Sequence, residues 1–272
     1  MAEEREYLLG THDEEIARLG VQHRVWRPRM LDAWRRAGFT VGQRILDVGC
    51  GPGYASLDLA EIVGPAGRVI AVDRSRRFLD VLDAARMRRG LGDVIEIHEL
   101  DLDEAPLPAE GVDGVWSRWV FAFVTRPRDL LERVCRAVRP GGVVVMHEYF
   151  HYATWQLAPR LPELDELIRV VTESWRDSGG DPDIGLALPR WLVELGFEVR
   201  ELRPMIDIVP PSDFVWQWPG TFVPNGVQRM VALGRLTPER GEAILAAFRE
   251  RESDPNTLMV TPAMLEIIAV RR

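Results

Sequence analysis

The run Arg44-Ile45-Leu46-Asp47-Val48-Gly49-Cys50-Gly51-Pro52-Gly53 joins a short apolar segment to a turn crowded with glycine. Ile45, Leu46 and Val48 suit a central parallel strand covered on both faces. Glycines at 49, 51 and 53 let the backbone bend sharply and bring its N–H groups close to a ligand that any Cβ would obstruct. Tyr54 to Val63 then shows helical periodicity, so the turn feeds a helix N-terminus with unpaired donors. A strand, turn and helix of this kind build an open α/β sheet, and the turn suits a nucleotide-like ligand. Arg68-Val69-Ile70-Ala71-Val72-Asp73 reads as the second strand, ending in a carboxylate. An acid at that tip accepts hydrogen bonds from both hydroxyls of a ribose and opposes a 2′-phosphate.

The spacing of the glycines narrows the choice of nucleotide. A dinucleotide fingerprint requires G-x-G-x-x-G, and counted from Gly49 its last place holds Tyr54. The pattern present is acidic-x-Gly-x-Gly-x-Gly over Asp47 to Gly53. Further along come Asp73, Asp101-Leu102, the strand Val112-Asp113-Gly114-Val115-Trp116-Ser117, and the helix and turn from Leu130 to Gly142. In this order and spacing the set resembles the class I S-adenosylmethionine (SAM) methyltransferases, in their ubiquinone/menaquinone-biosynthesis-type branch. The resemblance spans residues 40–150 and says little about the methyl acceptor.

That resemblance implies a Rossmann-like, seven-stranded, mostly parallel sheet with helices on both faces. It also implies SAM as cofactor, S-adenosylhomocysteine as product and a small-molecule methyl acceptor. Gly49, Gly51 and Gly53 would hold the methionine end, Asp47 the loop and the ammonium, and Asp73 the ribose. Asp101 would accept from the adenine amino group while the backbone after it, at Leu102, meets a ring nitrogen; Arg74, Ser75 and Phe78 would lie beside the adenosine. Ser117, Arg118 and Trp119 follow the fourth strand at its C-terminal edge, where ligands bind in open α/β sheets.

Residues 1–38 read as helices with a break near Pro28, and in similar methyltransferases such a segment is a lid over the cofactor. Tyr7, Gln22 and Trp26 are its contact candidates, and Trp26 or Trp119 could face the sulfonium through a cation–π attraction. The SAM-binding core then occupies 39–152, a helical insertion 153–183, a core continuation with the sixth strand 184–209, a cap 210–256, and the last strand 257–272, running through Pro262. Trp155, Trp175, Trp216 and Trp218 fall in the two insertions. They suit either a roofed pocket for an aromatic or hydrophobic molecule or the interface of a homodimer. At the tip of the fifth strand His147, Glu148, Tyr149, His151 and Tyr152 gather, and His147 or His151 is the candidate general base for an O- or N-methylation.

Composition bounds the partners. A formal charge of −8 and a pI near 5.3 speak against a nucleic-acid partner. All 34 basic side chains are arginines, which removes the phosphate-loop lysine and any lysine Schiff base. Cys50 and Cys135 have no metal-ligand spacing, so no metal is expected, and both read as packing residues in a reducing compartment. The acidic start and the lack of a long apolar run point to a cytoplasmic protein without a membrane segment. Two rival readings remain, a nicotinamide-dependent oxidoreductase and a SAM-binding protein without catalysis.

Overall fold

The structure, a computed structural model, describes residues 13–272. A long helix α1 (Asp13–Ala37) precedes β1 (Arg44–Val48), α2 (Tyr54–Val63), β2 (Arg68–Asp73), α3 (Arg76–Arg88), β3 (Ile95–Glu99), β4 (Val112–Arg118), α4 (Pro127–Ala137) and β5 (Val138–His151). There follow β6 (Gln156–Ala158), α5 (Pro162–Asp177), α6 (Leu188–Glu194), β7 (Phe197–Met205) and β8 (Ile208–Val209). Helices α7 (Gln217–Gly220), α8 (Phe222–Ala232) and α9 (Pro238–Ser253) lead to β9 (Leu258–Val260) and β10 (Ala263–Arg271).

Seven strands form one sheet in the order β3-β2-β1-β4-β5-β10-β7. All neighbours pair parallel except β10, which is antiparallel to both β5 and β7. The mostly parallel Rossmann-like sheet expected from the motifs is therefore present. Successive residues of the inner strands enter opposite cores: Ile70 and Val72 pack on one face, Val69 and Ala71 on the other. The first face carries Leu130, Leu131 and Val134 of α4. The second carries Met30, Ala33 and Trp34 of α1 with Leu57, Leu59 and Val63 of α2. Strand order reverses between β1 and β4, and the crevice outside their C-terminal ends is where this topology accepts ligands.

Several boundaries differ from the sequence expectation. Helix α1 runs without interruption through Pro28. A proline inside a helix removes one hydrogen bond and costs about 3 kcal/mol, and burial of Trp26, Met30, Ala33 and Trp34 offsets that locally. The last strand breaks at Pro262, which has no N–H to donate to a ladder. The residues before it form a three-stranded sheet of order β6-β9-β8, and those after it join the main sheet. The expected sixth strand likewise ends at Met205, leaving Ile208 and Val209 to the small sheet. The single helix expected from Ile184 to Leu195 is a 3-10 turn followed by α6, whose first turn takes Pro189. No helix among the described residues is long and apolar enough to cross a membrane.

Candidate active site

The turn after β1 meets the tip of β2. Gly51 has φ +54°, and a Cβ built there would find no other atom within 4 Å, so its bend faces open space. Its N–H donates to Oδ2 of Asp73 at 2.9 Å, and Ser75 N–H donates to Oδ1 at 2.8 Å. An ionised carboxylate has about four acceptor positions, and the backbone N–H groups of Ser75, Gly51 and Arg74 act on this one, so it retains acceptor capacity for a ligand hydroxyl. Burial raises the Asp73 pKa, opposed by the backbone N–H groups of Ser75 and Gly51. Asp101 at the end of the next loop accepts from Asp103 N–H at 2.9 Å. Gly49, Asp73, Arg74, Asp101, Leu102 and Trp119 line one cavity of about 650 Å³. Four of the expected adenosine contacts, Asp73, Arg74, Asp101 and Leu102, are thus brought together.

A second cavity, of about 130 Å³, lies on the other side of Gly49 and Trp119, which line both. Asp47, Gly51, Arg118 and Gln22 line it near the turn, and Tyr149, Tyr152, Trp155, Trp175, Trp218 and Phe222 line it farther away. Asp47 is buried and accepts from the Ser56 hydroxyl at 2.5 Å; burial raises its pKa to about 7. Burial draws the Arg118 guanidinium down to about 10, with Asp47 the main charge acting against it. Arg118 lies over the rings of Trp116 and Trp119, 5.9 and 5.0 Å from their centroids. Cation and carboxylate of matched reach therefore stand at one end of an aromatic chamber.

Trp119 separates the two cavities. Its φ of 53° makes it the non-glycine residue with left-handed backbone among those described. Such a conformation costs of order 1–3 kcal/mol and persists where the surroundings over-determine it. Here the surroundings are aromatic: the indole stacks on Trp218 and Tyr149 with centroids 5.8 and 5.6 Å apart, and its Nε1–H points to the Met264 sulfur at 2.9 Å. The tryptophans of the insertions are engaged in the same way. Trp155, Trp175 and Trp218 are buried and line the chamber, while Trp216 packs on Phe248 beneath the cap.

Other expected contacts fall elsewhere. Tyr7 lies outside the described residues. Trp26 is buried behind Trp119 and Trp218, at 5.5 and 4.7 Å, and supports the cavity wall without lining it. Ser75 caps α3, its hydroxyl accepting from Phe78 N–H at 3.3 Å, and neither residue lines a cavity; Phe78 is fully buried. Ser117 is buried and lines neither cavity. Because Ser75 acts as a cap, Ser75→Ala should cost about 1 kcal/mol of stability. Its affinity for S-adenosylhomocysteine should stay close to wild type, and calorimetry showing a large loss would return it to the ligand's surroundings.

The two candidate proton acceptors lie outside both cavities. His147 sits inside β5, because the strand runs on to His151, and pairs in register with Glu266 of β10. Its Nε2 lies 3.1 Å from Glu266, which is also held by Arg36, and it lines neither cavity. Burial lowers its pKa, against the Glu266 hydrogen bond that raises it. His151 is exposed and likewise outside both linings. The expected contact Gln22 does line the chamber, and what the sequence did not reveal is that Glu15 and Arg18 line it on the same inward face of α1. Their spacing of three and four residues places them on one helix face, but a polar stripe reads as a solvated one until the cap closes over it.

Comparison with known proteins agrees with this geometry. Residues 46–146 match the family described as Methyltransferase domain. Ubiquinone/menaquinone biosynthesis C-methyltransferase UbiE of Pseudomonas fluorescens is 26% identical over 166 residues, 58% of this chain and 63% of that protein. The core of the chain is that of a class I S-adenosylmethionine-dependent methyltransferase. An uncharacterized 37.1 kDa protein in transposon TN4556 of Streptomyces fradiae is 30% identical over 197 residues, 72% of this chain and 54% of the relative. The chain thus spans about half to somewhat under two thirds of the length of these curated relatives. Among solved structures the 4+2 cyclase SpnF shares the fold, with a TM-score of 0.54 at 20% identity, covering 89% of this chain and 80% of that one. Gly49, Asp73 and Asp101 line one cavity at the C-terminal edge of the parallel strands, and α1 and the two insertions lie outside the matched stretch or interrupt the core around it.

Proposed function

We propose that this chain transfers a methyl group from SAM to a small aromatic or hydrophobic acceptor. One observation carries the reading: an acid-lined cavity and an aromatic chamber meet at Gly49 and Trp119. When bound, the sulfonium supplies an already activated methyl carbon. Asp73 and Asp101 would hold the adenosine, and Asp47 and Arg118 the ammonium and carboxylate of the methionine. The chain's task is then alignment of the acceptor atom with methyl and sulfur, for which oriented reactants gain about 7–11 kcal/mol. The acceptor would supply the electron pair, a lone pair on oxygen or nitrogen or a ring π pair on carbon, as the carbon–sulfur bond breaks and that bond's pair stays on sulfur. It would lose its proton to water on becoming methylated. Oxygen and nitrogen are the acceptor atoms expected from the sequence, and the C-methylation named for the ubiquinone/menaquinone relatives adds carbon. Incubation with methyl-labelled SAM and a panel of phenols, amines and aromatic acids tests this, label in an organic product being the expected result.

The second reading is cofactor binding without methyl transfer, favoured by the fold shared with a cyclase. Tight binding of SAM with no labelled product across the panel would support it. A nicotinamide enzyme is disfavoured by Tyr54, which occupies the third-glycine place and hydrogen-bonds to the Ile16 carbonyl of α1 at 3.1 Å.

Asp47 gives the cofactor reading a pH signature. Its pKa in the empty protein is raised to about 7, above the unfolded value, so its ionisation there is unfavourable and stability is lost as pH rises through about 7. A ligand ammonium beside it favours the ionised form. Cofactor binding should therefore release a proton near neutrality, and affinity should fall by up to about tenfold per pH unit below about 7. Calorimetry of S-adenosylhomocysteine in buffers of different ionisation enthalpy reads the proton directly. A flat affinity with no proton release would remove Asp47 from the ammonium site.

A further inference from the structure

The inward face of α1 carries a charged group in the aromatic chamber. Arg18 is nearly buried, and its guanidinium donates to Glu15 through Nε at 2.8 Å and Nη2 at 2.6 Å, and to Gln22 Oε1 through Nη1 at 2.6 Å. Glu15 is itself fully buried and receives Asn225 Nδ2 of α8 at 3.2 Å. Three of the five guanidinium N–H donors are thereby used, and two remain. Tyr149 and Tyr152 line the same chamber as Glu15 and Arg18. Burial pushes both tyrosine hydroxyls up, and the Arg18 charge acts on both in the opposite direction.

This arrangement is expensive as a mere structural tie. A buried ion pair stabilises little, because desolvation cancels most of its attraction, and apolar side chains would have packed the chamber wall more cheaply. Fixed by Glu15 and Gln22 at its back, the guanidinium is preorganised to receive an oxygen at its front. Two spare N–H groups and two phenolic hydroxyls can satisfy a desolvated anion, which in an aromatic chamber requires such partners.

We infer that Arg18, oriented by Glu15 and Gln22, forms with Tyr149 and Tyr152 a subsite for an anionic oxygen, carboxylate or phenolate, of an aromatic acceptor. The inference rests on the methyl-transfer reading and specifies its substrate class. A carboxylate would be an anchor away from the reacting atom, while a phenolate would be part of the reacting ring system. Both share the chemistry that Arg18 recognises.

The test uses the full chain saturated with S-adenosylhomocysteine, with cinnamate, cinnamamide and 4-nitrophenol as probes followed by tryptophan fluorescence and absorbance. Cinnamate should bind at least about tenfold tighter than its neutral amide, the scale of a charged hydrogen bond. If phenolates are the occupants, the phenolate band of 4-nitrophenol should grow on binding at a pH where the free phenol is mostly neutral. Either signal supports the subsite and tells the two sources apart. Glu15→Gln combined with Arg18→Gln removes both charges together and leaves no uncompensated carboxylate; it should abolish the discrimination. Tyr152→Phe, which keeps the ring, should weaken it severalfold and serves if the double variant does not fold. Equal affinity for acid and amide without a phenolate band overturns the inference, as does failure to bind any probe or discrimination that survives the double variant. Failure of the wild type to bind S-adenosylhomocysteine is a separate result, and it strikes the cofactor reading instead.

Discussion

Asp73→Ala should lower the affinity for S-adenosylhomocysteine by about ten- to a hundredfold, as calorimetry on the folded chain would read. Each charged hydrogen bond is worth about 1.5–3 kcal/mol, and the carboxylate retains acceptor capacity for a ribose hydroxyl. The same oxygens also hold the backbone N–H groups of Gly51 and Ser75, so the substitution releases the glycine turn as well as the ribose. Asp73→Asn separates the two effects. It keeps one acceptor oxygen but replaces the other with an N–H₂ that faces a backbone donor, so affinity should fall nearly as far while the empty chain loses stability too. Binding by Asp73→Ala equal to wild type would discredit the ribose assignment, and with it the strongest link between β2 and the cofactor.

The fold was legible because its determinants are local. The apolar run at 44–48, the glycine turn and the acidic end of β2 each depend on neighbouring residues, and order along the chain then fixes a parallel sheet. What distance decides was not legible. His147 looked like a strand-tip residue because Tyr149 and His151 follow it, but β10 extends β5 by pairing Ala263 with His151 and draws His147 into the sheet. Trp26 looked like a cofactor contact because it is aromatic and precedes the core, yet Trp119 and Trp218 stand between it and the chamber. Arg18 was passed over for the converse reason. Its charge suggests solvent, and only α8, lying far along the chain and reaching Glu15 through Asn225, encloses that face. Periodicity tells which side of a helix is polar; it carries no information on what a later insertion will lay against it.

Gly51→Ala and Gly49→Ala should fail for different reasons, and the contrast tests whether the turn is shaped for a ligand. Both positions have positive φ, +54° and +68°, so a Cβ costs about 1–2 kcal/mol in either. At Gly49 the new methyl would lie 2.3 Å from Cγ2 of Val120, a contact within the protein itself. Overpacking of that kind adds about 1–3 kcal/mol, so the empty chain should lose about 2–5 kcal/mol in denaturant unfolding. At Gly51 the methyl meets no other atom of the described residues within 4 Å, and Gly51 lines the chamber together with Asp47 and Arg118, where the methionine end of the cofactor would sit. There the stability loss should stop at the backbone term, whereas affinity for S-adenosylhomocysteine should fall by up to about a hundredfold, as the same overpacking is transferred to the complex. An affinity left intact by Gly51→Ala would mean that the open side of the bend is simply solvent, and the close approach between backbone and ligand would have no basis. An affinity lost together with only the small backbone cost would locate the ligand against the turn without a bound structure, since the empty protein provides no atom for that methyl to strike.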